Sequence, residues 1–140
     1  MKRSFSTAVN LNAVNVWLFV SRVAIGIFML THGWPKAEKL FAGSTEFADP
    51  FGIGAGPSLA LTVFAEAACA ILLILGLATR FAALPLIITM LVAIFYAHGG
   101  DPFGKKELAV IYLTLFIGFL ILGAGRYSLD HLLSRDKYRL

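Results

Sequence analysis

The sequence predicts an all-α integral membrane protein, a four-helix bundle with both termini in the cytoplasm, from its composition, its apolar runs and its placement of charge. Hydrophobic residues make up 59% of the chain and charged residues 14%, against about 25% charged in soluble domains. Mean hydropathy is +0.81, so polar side chains are too few to coat a water-facing surface, which excludes a soluble globular enzyme. Apolar runs cover residues 13–33, 59–78, 81–98 and 108–123, each close to the ~20 helical residues that span the hydrocarbon core. A β-barrel would alternate in and out every second residue, whereas Ile71-Leu72-Leu73-Ile74-Leu75 is apolar on every face. Four crossings put both ends on one side. There Lys2, Arg3, Arg80, Arg126, Arg135, Lys137 and Arg139 outnumber Lys36, Lys39, Lys105 and Lys106 opposite, and the positive side is cytoplasmic. The net charge of +4 is therefore a topology signal, and nucleic acid is not an expected partner.

Residues 1–140 are expected to form one transmembrane domain. Lys2 and Arg3 before an apolar run resemble a signal peptide, but the run is as long as a full span and no small-residue cleavage site follows, so the first helix, residues 13–33, is expected to be retained. The first outer loop, about 25 residues, is rich in Pro and Gly and long enough to fold over the outer mouth. The second helix covers residues 59–78. Only Thr79-Arg80 separates it from the third, residues 81–98, so the two are antiparallel neighbours. Pro85 lies near that helix's start, where it costs few backbone bonds. Glu107 opens the fourth helix, residues 107–123. A tail over residues 128–140, with Leu129, Leu132 and Leu133 among Arg135, Lys137 and Arg139, is expected to lie as an amphipathic helix on anionic lipid. The two halves show a weak repeat: His32-Gly33 and His98-Gly99, then Glu66 and Glu107, then Arg80-Phe81 and Arg126-Tyr127. The single cysteine, Cys69, excludes an internal disulfide and a CxxC pair, and is expected to be a packing residue.

An ionisable side chain at the bilayer centre costs roughly 2.5–3.5 kcal/mol on insertion scales, so Arg22 and Glu66 need partners or water. Arg22, Gly26, Met29 and Gly33 share one helical face, which should meet another helix closely; Glu66, Cys69, Ala70 and Leu73 share another. Arg22 is expected either to pair with Glu66 or to fix helix register through carbonyls. It is read as a structural buried charge.

Near the outer face His32, Lys36, Glu38, His98, Asp101 and Glu107 crowd together above Glu66. They line one outward cavity, or act singly as interfacial caps and snorkelling groups. Glu107, Ile111, Thr114 and Gly118 share a face, as do Thr89, Ala93 and Tyr96, and both faces are polar enough to turn inward. Two histidines at the outer helix ends could bracket a haem or bind a metal, but neither belongs to a ligand-spaced motif, so no metal and no haem is expected.

In order and spacing these pieces resemble the DoxX family of small four-helix bacterial membrane proteins, over about residues 18–130. The resemblance rests on Arg22 with Gly26, the His32-Gly33-Trp34-Pro35-Lys36 turn, Glu66, and Gly76-Leu77-Ala78-Thr79-Arg80. It continues through His98 and Glu107 to Gly123-Ala124-Gly125-Arg126-Tyr127-Ser128-Leu129-Asp130. It implies a multi-pass protein of the bacterial inner membrane and a subunit of a quinone- or quinol-linked oxidoreductase. On that reading His32 and Lys36, with His98, hydrogen-bond a quinone head group, while Glu66, His32 or Glu107 exchanges protons with the outer side. Trp34, Phe95 and Tyr96 flank the ring. No flavin, nicotinamide or iron–sulfur fingerprint is present, so a bound quinone is the one cofactor implied, and electrons would need partner redox proteins or an oligomer. Two other functions fit the same chain: a non-catalytic membrane anchor for a partner enzyme, and a proton-coupled small-solute transporter.

Overall fold

The computed structural model describes residues 7–44 and 46–137. The charges read at Lys2, Arg3 and Arg139 lie outside the described residues, as do the side chains of Arg135 and Lys137. Every regular element among the described residues is helical: α1 Leu11–Phe41, α2 Ala55–Leu75, α3 Thr79–Ala97, α4 Phe103–Leu122 and α5 Leu129–Lys137. By length and composition α1, α2 and α3 are able to cross a membrane. The 20 residues of α4 open with Phe103-Gly104-Lys105-Lys106-Glu107, and the apolar part, residues 108–122, extends about 22 Å at 1.5 Å per residue. Trp17, Phe28, Phe81, Phe95 and Ile121 stand exposed around these helices. Such a surface suits lipid and would drive association in water.

The first helix runs well beyond the expected end at Gly33. Pro35 removes one N–H from its interior, yet the helix continues because contacts on both sides of the proline hold it. Trp34 Nε1 donates to Glu38 Oε1 at 2.8 Å across that turn, and Gly33 and Ala37 are buried. The helix ends where Ala42 N and Ser44 N bond back to Glu38 and Lys39 carbonyls and Gly43 takes φ +74°. Lys36 is thereby a helical residue on the side of Met29 and Gly33. The loop between α1 and α2 closes on Asp49, whose carboxylate accepts from Gly54 N, Ile53 N and Ser58 Oγ. These bonds, led by that from Gly54, hold its carboxyl below the usual range.

The reversal between α2 and α3 is Gly76–Ala78, and Thr79-Arg80, expected to be the connection, already forms the first turn of α3. Gly76 and Ala78 take left-handed φ of +68° and +48°, a conformation that costs a non-glycine residue roughly 1–2 kcal/mol. The compensation comes from α5: Asp130 carboxylate oxygens accept Ala78 N at 2.7 Å and Thr79 N at 3.0 Å, and Asp130 N donates to Gly76 O at 2.8 Å. Asp130 thus caps α3 from 51 residues away. Asp130→Ala is expected to cost about 1 kcal/mol, as loss of a side-chain N-cap does, with Asp130→Asn recovering part. The unfolding midpoint of the purified protein in detergent reads this.

One core joins the first four helices: Leu18, Ile25 and Met29 of α1, Cys69 and Leu73 of α2, Leu86 and Met90 of α3, and Tyr112, Phe116 and Phe119 of α4. Fully buried Ala70, Ala82 and Ala83 let the helices approach closely. The face Glu107-Ile111-Thr114 is exposed, contrary to the expectation that it turns inward. Thr114 Oγ1 donates to Val110 O within its own helix at 2.9 Å, so this face carries no polar demand that an interior would have to meet.

Candidate functional site

Two polar centres lie at opposite ends of the helices. At the end of the Gly76–Ala78 reversal, Arg22 is 1% exposed. Its Nη1 donates to the carbonyls of Leu73 and Ile74, and its Nη2 to Tyr127 O at 2.8 Å. Leu73 and Ile74 belong to the last turn of α2, whose carbonyls lack intrahelical partners and carry the negative end of the helix dipole. Arg22 therefore ties α1 to the end of α2 and to the segment before α5, and its bonds go to carbonyls, Glu66 being engaged elsewhere.

At the other end Glu66, His32, Lys36 and His98 line one cavity of about 200 Å³, with Met29, Met90, Ala93, Leu108 and Tyr112 among its walls. Lys36 Nζ meets Glu66 Oε2 at 2.5 Å; the lysine side chain is 31% exposed and the glutamate 5%. The pair thus joins the buried carboxylate to the surface. His98 Nδ1 lies 2.8 Å from Asp101 Oδ2, which fixes the ring and leaves Nε2 as its remaining polar atom. Lys105 Nζ stands 3.6 Å from the other oxygen of Asp101. His32 meets Tyr112 edge to face, ring centroids 6.0 Å apart, and Tyr112 stacks on Phe116 at 5.9 Å. Buried Tyr112 thereby supplies a phenol and an aromatic wall.

Local backbone irregularity positions these groups. Glu66 sits in a π-helical segment, Phe64–Cys69, and His98 directly follows another, Ala93–Ala97. Wider turns of this kind occur often at functional sites because they re-aim side chains. Gly33 packs on the first of them. A Cβ there would collide with the Glu66 carbonyl and come within 2.8 Å of Ala67 N. Only a glycine lets α1 lie against the backbone that carries Glu66, and Lys36 follows one turn later.

The remaining expected site residues lie outside this cavity. Trp34 is exposed and bonded to Glu38. Phe95 and Tyr96 are exposed, and they line a separate surface cleft with Pro50 and Phe51. Glu107 is exposed on α4, just past its first turn. Tyr112, Met29 and Met90 were missed by the sequence reading. A lone tyrosine inside the apolar run of α4 was the one signal that could have pointed to Tyr112. Among the described residues no three His, Cys, Asp or Glu side chains form a metal-holding group.

A family profile described as DoxX matches residues 17–99. Among curated proteins, "Inner membrane protein YqjF" of Escherichia coli (strain K12) is 30% identical over 125 residues, covering 86% of this chain and 95% of the relative. A protein of Haemophilus influenzae described as uncharacterized is 33% identical over 121 residues, covering 79% of this chain and 85% of that one. No solved structure matches the chain significantly.

Proposed function

Because this chain is a membrane protein of the DoxX family, we propose that it is a multi-pass inner-membrane subunit of a quinone-linked oxidoreductase and that the cavity beside Glu66 takes the quinone ring. In this reading α4 is a fourth crossing, its charged first turn lies at the outer interface, and both termini are cytoplasmic. Lys105 and Lys106 snorkel there, and Lys106 Nζ already reaches Gly99 O at 2.9 Å.

The observation that carries the proposal is the joining, in one cavity, of proton-exchanging groups, hydrogen-bond donors and an aromatic wall. The volume of about 200 Å³ lies below the ~300–1,000 Å³ of pockets for drug-sized ligands and suits a single ring. A haem macrocycle would not fit without opening the helices. The donor set also fits a quinone, since Lys36, His32 and His98 can donate to two ring carbonyls while Met29, Met90, Ala93 and Leu108 exclude water. A bound quinone would supply two-electron, two-proton chemistry. Glu66 and His98 are two bases, matching the two protons that a quinol releases. Lys36 holds the Glu66 carboxylate and links it to outer water, and Asp101 keeps the His98 ring oriented with Nε2 available. The sequence carries no flavin, nicotinamide or iron–sulfur fingerprint, so in this reading electrons leave to a partner subunit.

The test is extraction of quinone from protein purified with native lipids in mild detergent. Wild type is expected to carry near-stoichiometric quinone. Glu66→Gln and His98→Ala should retain roughly a tenth or less, the effect of losing a hydrogen bond to a charged group. Folded wild-type protein that carries no quinone, or variants that retain it fully, would remove the proposal.

A further inference from the structure

We propose that the groove beneath Arg126, at the end of the Gly76–Ala78 reversal, is a binding site for an anionic phospholipid. The site is separate from the cavity beside Glu66 and does not depend on the quinone reading.

Arg126 and Tyr127 lie in the segment between α4 and α5, and their backbone is pinned from two sides. Arg126 N donates to Asn15 Oδ1 at 2.9 Å, and Tyr127 O accepts from Arg22 Nη2 at 2.8 Å, partners 111 and 105 residues away. The Tyr127 ring is held edge-on against Phe19 at 6.1 Å. The two side chains are therefore presented on a fixed support, which lowers the entropic cost of binding.

Among the described residues nothing uses the charge of Arg126. Arg22 is bound to three carbonyls and Arg80 Nη2 to Ile121 O at 3.3 Å. Among the described residues the Arg126 guanidinium has neither a carboxylate nor a carbonyl partner. The neighbouring Asp130 carboxylate is engaged by the N–H groups of Ala78 and Thr79. The exposed guanidinium instead borders a groove of about 590 Å³ whose floor includes Phe19, Leu75, Leu129 and Leu132. A planar cation that matches two phosphate oxygens beside an apolar trough at the ends of the spans calls for a ligand with an anionic head and a hydrocarbon chain. Basic pockets of this kind on the cytoplasmic side bind anionic head groups. The exposed Tyr127 phenol adds an interfacial donor. A free anion would use the arginine and leave the trough bare, so the occupant is a lipid.

The experiment is native mass spectrometry of the full chain in nonionic detergent, titrated with dioleoyl phosphatidylglycerol or dioleoyl phosphatidylcholine. Wild type is expected to retain phosphatidylglycerol at least about tenfold more strongly, as a charge-assisted hydrogen bond would give. Arg126→Gln should lower it to the phosphatidylcholine level with the lipid-free unfolding midpoint unchanged, and Leu132→Asn should weaken retention of both lipids. Should Arg126→Gln fail to fold, Arg126→Lys, which keeps the charge and loses the planar fork, is expected to show intermediate retention. Equal retention of the two lipids by wild type, or full retention by Arg126→Gln or Arg126→Lys, would overturn the site. Displacement of bound phosphatidylglycerol by millimolar glycerol 3-phosphate would also overturn it, since the trough would then contribute nothing.

Discussion

Arg22→Met is expected to destabilise the protein by on the order of 5 kcal/mol, since hydrogen bonds from a charged group contribute roughly 1.5–3 kcal/mol each and Arg22 makes three. Methionine fills much of the volume, so the loss reports hydrogen bonding more than a cavity. The released carbonyls lie at the end of α2 and at Tyr127, where the Gly76–Ala78 reversal, Asp130 and the start of α5 converge. The damage should therefore include loosening of α5, measurable as faster hydrogen exchange at Ala78 and Thr79. Arg22→Lys keeps the charge yet presents a single ammonium where a planar fork serves Leu73, Ile74 and Tyr127. It should recover less than half of the stability. The unfolding midpoint in detergent measures both variants.

Gly33→Ala is expected to damage the site more than the fold. The added methyl lands on the backbone of Glu66 and Ala67, which no rotamer change can move aside, so α1 and the π-helical segment must separate. Overpacking of this kind costs about 1–3 kcal/mol. The separation acts where Lys36 meets Glu66, at one edge of the cavity, so quinone retention should fall to the level of Glu66→Gln while most of the protein stays folded. Gly26→Ala is the control. Its Cβ meets Ile74 Cγ1 at 2.5 Å and Ala70 O at 3.2 Å, away from the Lys36–Glu66 pair, so the cost falls on stability and retention should survive.

What the sequence made legible was what hydrophobic runs and single polar residues can signal. The stripe of Arg22, Gly26, Met29 and Gly33 is buried along its length, as is Glu66 with Cys69, Ala70 and Leu73. The grouping of His32, Lys36 and His98 above Glu66 also followed from their position at the same end of the helices. Tyr96 was misplaced because equal depth is not equal face. It was put on a stripe with Ala93 by assuming 3.6 residues per turn, and the π-helical segment Ala93–Ala97 breaks that period, turning Tyr96 away from the cavity that Ala93 lines. The continuation of α1 through Pro35 was hidden for a related reason: proline predicts a break, and what keeps the helix going is packing of Gly33 against α2. Asp130, read only as the end of a motif, caps a helix whose own sequence offers no N-cap side chain. Partnerships over 51 residues leave no periodic trace.

The measurement that bears most directly on the proposed function is photolabelling of native membranes with an azido-quinone carrying an isoprenoid tail, followed by peptide mapping. The proposal predicts label on the segments that hold Met29 and His32, Met90, and Tyr112, competed away by unlabelled quinone and absent in Glu66→Gln. Label confined to the apolar groove of Phe51, Phe64 and Ile88 on the other side of α2 and α3, or label that excess quinone does not displace, would contradict it.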